Sequence, residues 1–71
     1  MTSKNLLSET RKEIILSLAA NRMRVTEVAL ELSLHRNTII YNIGRIHEIT
    51  GKNPLDFYDL IELVCMVKKK N

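Results

Sequence analysis

Tryptophan is absent from this 71-residue chain, phenylalanine occurs once and tyrosine twice. Glycine is nearly as scarce, with two residues, and proline and cysteine occur once each. Each shortage excludes something. A β-sandwich or barrel needs many tight turns, and so few turn formers cannot supply them, which leaves helices. The single cysteine, Cys65, permits no intramolecular disulfide and no zinc site of the cysteine-rich kind, and it suits a reducing cytosol. No apolar run approaches the roughly 18–20 residues that span a bilayer. The N-terminus lacks the basic region and apolar core of a signal peptide. Also missing are a nucleophile beside a base, a metal-ligand cluster and a phosphate-cradling glycine loop, so neither an enzyme nor a cofactor is expected.

What the chain has is aliphatic. Apolar residues make up 45% and charged residues 27%, a globular mix rather than a disordered one. The length allows one domain over residues 1–71, and a chain this short buries only about 60% of its unfolded surface. That suffices for three or four helices on a small core and excludes a deep catalytic cleft. The net charge is +3, in keeping with a polyanionic partner. Residues 53–67 carry three acids, Asp56, Asp59 and Glu62, and no Lys or Arg. The last segment is therefore not the face to set against phosphate.

Apolar spacing predicts four helices. Over residues 8–20, Leu7, Ile14, Ile15, Leu18 and Ala19 share one face. Ser8 and the capping-box run Thr10–Glu13 both fit as its start. Residues 21–25 break the pattern without Gly or Pro. A short helix over 26–32 follows, with Thr26 as cap or first-turn residue and Val28, Ala29 and Leu32 inward. Ser33-Leu34-His35 connects it to a helix over 36–49, whose Ile39, Ile43 and Ile46 mark the core face. Asn37, Tyr41, Gly44, Arg45 and Glu48 lie roughly opposite. Gly51 fits a left-handed stop, and Asn53-Pro54 prevents resumption. A fourth helix over 55–68 presents Leu55, Leu60, Leu63, Val64 and Val67, widened by Phe57, Ile61 and Met66, with Cys65 read as a small core residue.

A short helix, a three-residue turn and a longer helix match helix-turn-helix geometry. Ala29 is small where the two helices cross, and Leu32 and Leu34 fill the space between them. The inward isoleucines leave the amino end of the third helix facing out. There Arg36 suits a guanine or a phosphate, Asn37 an adenine, and Thr38 a phosphate or a thymine methyl. Tyr41 and Arg45 follow on successive turns. His35 reads as a helix cap or a phosphate contact. Arg22 and Arg24 are candidate phosphate contacts or solvated charges, and Lys68-Lys69-Lys70 reads as a frayed, solvated end. His35, His47 and Cys65 lack ligand spacing for a metal.

The run His35-Arg36-Asn37-Thr38-Ile39, with Tyr41, Ile43, Arg45 and Ile46, resembles the signature of the PucR-type C-terminal helix-turn-helix domain of bacterial purine-catabolism and sugar-diacid regulators. Thr50-Gly51 and Asn53–Leu60 resemble the segment that follows it. The resemblance covers about residues 7–67. It implies an all-α, homeodomain-like bundle that binds double-stranded DNA near a promoter. It also implies a C-terminal fragment of a longer cytoplasmic regulator, dimeric or larger, whose effector is sensed by a domain outside this chain. The chain departs from the pattern at Ile40, Asn42 and Gly44, where family members often carry bases. Losing those bases removes phosphate contacts, and Ile40 is free to pack on the fourth helix instead. A different class of function is a protein-interaction module, which an exposed Phe57, Tyr58 and Ile61 patch would favour.

Overall fold

The computed structural model describes residues 7–68. Leu7 is buried and leads into helix α1 (Glu9–Ala20). Ser8 is the cap: its Oγ accepts from the Arg11 backbone N–H at 3.2 Å. The alternative start at Thr10 lies inside the helix. Ile14, Ile15 and Leu18 are fully buried. Ala19, expected on that face, is exposed. A polar residue, Ser17, is buried beside them.

The reversal after α1 needs no glycine because Arg22 and Met23 take left-handed backbone themselves, with φ of 56° and 63°. The Met23 N–H reaches back to the Leu18 carbonyl at 2.7 Å, and its side chain packs on the core. Helix α2 (Val25–Leu32) begins earlier than the sequence suggests. Its cap is Arg24, which makes no side-chain cap bond, so Thr26 lies within the first turn. Val28 is fully buried, and Ala29, Leu32 and Leu34 pack against the same core.

Ser33 ends α2 in the left-handed region, at φ 56° and ψ 40°. The Leu34 N–H then bonds the Ala29 carbonyl at 3.0 Å, which closes the last turn and aims the chain across α2. Helix α3 (Arg36–Thr50) follows, with Ile39, Ile43 and Ile46 buried. It stops at Gly51, at φ 75°.

Between α3 and helix α4 (Phe57–Lys68), side chains replace secondary structure. Asn53 Oδ1 accepts from the Leu55 N–H at 3.0 Å, Asp59 Oδ2 from the Asn53 N–H at 3.0 Å, and Asp56 Oδ2 from the Asp59 N–H at 3.1 Å. Lys52 Nζ pairs with Glu62 Oε1 at 2.5 Å. Pro54 is fully buried. Helix α4 therefore starts two residues later than expected.

Helices α1, α2 and α3 pack on one another, and α4 packs on α1. No Cα of α4 comes within 8 Å of a Cα of α3. This one-sided packing corrects five expectations for the last segment. Leu60 and Leu63 are buried, but Leu55, Phe57, Ile61 and Met66 are exposed, and so is Cys65. Ile40 on α3 is also exposed rather than packed on α4. Among the described residues the fold is four helices without a strand.

Candidate nucleic-acid interface

The amino end of α3 is held from behind. Its three buried isoleucines fix rotation about the helix axis, and the Ser33 turn fixes its start. His35 is the cap, its Nδ1 accepting from the Asn37 N–H at 3.3 Å. Arg36, Asn37 and Thr38 occupy the first turn and are exposed. Tyr41, one turn on, is 62% exposed. Among the described residues the side chains of Arg36, Asn37, Thr38 and Tyr41 make no hydrogen bond, and Arg36 makes no ion pair. They are positioned by the backbone and left unspent.

The field at this end is also uncompensated. Helices α1, α2 and α4 each carry an acid in the first turn, Glu9, Glu27 and Asp59, whereas α3 carries none. Partial positive charge at a helix start favours an anion. Here Arg36 adds a full charge to it instead of a carboxylate opposing it.

Arg45 differs from the other expected site residues. It lies on the same outer face, but its Nη1 donates to Glu48 Oε1 at 2.6 Å. Gly44 beside it is exposed, and a Cβ built there meets nothing within 4 Å. Arg22 and Arg24 are exposed at the α1–α2 turn. Lys68 is exposed at the end of α4, and Lys69 and Lys70 lie outside the described residues.

Two polar clusters escape a reading by helical periodicity. Arg11 Nε on α1 donates to Asn42 Oδ1 on α3 at 2.8 Å, and Asn42 Nδ2 donates to the Thr38 carbonyl at 2.8 Å. The Asn42 position thus ties α3 to α1. In the second cluster, Ser17 Oγ donates to Glu31 Oε1 at 2.8 Å, and Asn21 Nδ2 donates to the same oxygen at 2.6 Å. These bonds favour the charged form, so the Glu31 carboxyl is held below its usual range, first by Ser17 and then by Asn21. Glu62 likewise raises the Lys52 ammonium above its usual value, by hydrogen bond and by charge. Apart from Asn42 and Thr38, the partners in these bonds lie 10 to 31 residues apart, and no short sequence pattern announces them.

A groove of about 400 Å³ runs along the α1–α4 contact, lined by Leu18, Met23, Phe57, Leu60, Ile61 and Cys65. Phe57 and Tyr58 meet edge to face, with ring centres 5.4 Å apart. No cluster of three or more metal-ligating side chains occurs among the described residues, and none of their helices is long and apolar enough to cross a membrane.

Comparison with known proteins agrees with this architecture. The profile of the PucR C-terminal helix-turn-helix domain matches residues 13–68, from the middle of α1 to the end of α4. The chain is similar to the transcriptional activator PmfR of Paenarthrobacter nicotinovorans, with 39% identity over 49 residues. That alignment covers 69% of this chain and 10% of the relative, so the chain spans about a tenth of the relative's length. No solved structure matches.

Proposed function

Because the chain belongs to the family of PucR C-terminal helix-turn-helix domains, found in transcription regulators, we propose that it binds double-stranded DNA sequence-specifically, with α3 in the major groove. The observation that carries this reading is the unspent edge of Arg36, Asn37, Thr38 and Tyr41 on a helix whose other side is locked by Ile39, Ile43 and Ile46. The roles follow from geometry. The Arg36 fork is suited to the paired acceptors of guanine and the Asn37 amide to adenine. Thr38 and the Tyr41 hydroxyl suit phosphate or base edges. Arg45 contacts phosphate by exchanging Glu48 for it. His35 serves chiefly as the cap that starts the helix.

In this reading the chain acts in the cytoplasm as part of a dimeric or larger bacterial regulator, with its effector sensed outside this chain. Of those points, the regulator role is what the family and the relative support. The test is a titration of a duplex selected from a random pool by the wild-type chain. Arg36→Ala is expected to cost about 1–3 kcal/mol and to relax the preference at one base position. Wild-type binding by Arg36→Ala, Asn37→Ala and Tyr41→Ala alike would overturn the assignment of the reading edge.

A second reading, a protein-interaction module, is favoured by one observation: Phe57, Tyr58 and Ile61 are exposed together. It concerns different residues from the α3 edge and is compatible with the first. Light scattering with and without DNA separates the two.

A further inference from the structure

Arg11 is held in place more firmly than an α1 surface arginine needs to be. It is half-buried, and its Nε is fixed on Asn42, which is fixed in turn on the Thr38 carbonyl. Two bonds in series thus press a guanidinium from one helix against the flank of another. A guanidinium has five N–H donors in a planar fork, and only Nε is used here. The ion pairs among the described residues are Lys12–Glu9, Arg45–Glu48 and Lys52–Glu62. None of them supplies Arg11 with a counter-charge. A brace between α1 and α3 requires a donor at this point but not a charge.

The flank matters. Thr38, itself at the border of the reading edge, and Asn42 are one turn apart on α3, and they follow Asn37 and Tyr41 by one position each. One position is roughly 100° around the helix. With the reading edge toward the base pairs, that row turns toward a wall of the groove, because a helix nearly fills the major groove. The walls are sugar-phosphate backbone. We infer that Arg11 is a phosphate-binding residue of the DNA interface, its terminal amino groups clamping a backbone phosphodiester beside Thr38, with Asn42 as its positioning residue. This inference rests on the DNA-binding reading above.

Fluorescence anisotropy of the selected duplex across a salt series tests it, with thermal unfolding of each variant alongside. Every neutralised phosphate contributes about 0.9 to the slope of log K against log salt. Arg11→Gln is expected to flatten that slope by about this amount and to weaken selected and scrambled duplexes by the same factor. Arg11→Lys, which keeps the charge, is expected to keep the slope. A merely structural brace gives a different result: Arg11→Gln shifts unfolding or affinity with the wild-type slope intact, and that result overturns the inference. If Arg36→Ala weakens binding as expected while Arg11→Gln keeps the full slope, the inference alone fails. Absence of duplex binding by the wild-type chain overturns both.

Discussion

At the scale of single residues, the two glycines do opposite work. Gly44 lies within α3 at ordinary helical backbone, whereas Gly51 ends α3 at φ 75°. A Cβ at either position meets nothing within 4 Å, so the same substitution isolates the backbone contribution at both. Gly44→Ala is expected to raise stability by about 1 kcal/mol, the difference in helix propensity. Gly51→Ala is expected to lower it by about 1 kcal/mol, because an L side chain resists left-handed backbone. Urea unfolding midpoints of the two variants check both signs. Arg22, Met23 and Ser33 already bear that cost without being glycine. This is why the α1–α2 reversal is not announced by its residues, whereas the Gly51 stop is.

At the scale of elements, the Ser17–Asn21–Glu31 cluster joins the end of α1 to the end of α2, and it should be visible in the pH dependence of stability. The folded Glu31 carboxyl has a lower pKa than the unfolded one. The folded state therefore binds fewer protons in the acid range, and the cluster's contribution is complete above the unfolded value, about 4.3. It is lost as pH falls through the folded value. Glu31 is exposed, so solvent screens the effect and it is small. Glu31→Gln is expected to flatten the acid limb of the stability profile, measured by thermal unfolding between neutral and acid pH. An unchanged limb would show that the cluster is not coupled to folding. Helix extents were legible in the sequence to within about two residues, because the isoleucine and leucine spacings of α1 and α3 are regular. The start of α2 lies one residue early and that of α4 two residues late. Arg24 caps without a side-chain bond, and Asp56 caps α4 although apolar Leu55 precedes it.

At the scale of the whole molecule, the main surprise is how little of α4 is covered. The stripe read from the sequence, Leu60, Leu63, Val64 and Val67, does face the core, but the apolar residues that widen it, Phe57, Ile61 and Met66, do not. The choice is made by tertiary packing, since α4 has α1 as its only neighbouring helix among those described. The outward edge of α3 was legible because its buried isoleucines recur at spacings of four and three, although Ile40 is exposed among the polar residues. The Arg11–Asn42 bond was not legible, since it joins residues 31 apart. If the exposed Phe57, Tyr58 and Ile61 surface mediates assembly, Ile61→Glu is expected to shift light-scattering mass toward a single chain without moving the unfolding midpoint. Ile61 is 44% exposed, so a charge there remains hydrated.

The gap between α3 and α4 has a consequence for regulation. In the proposed reading, a guest in the α1–α4 trough and a duplex on the exposed edge of α3 touch different residues. A signal delivered to that trough would then have to reach α3 by way of α1 rather than directly from α4, which approaches α1 alone.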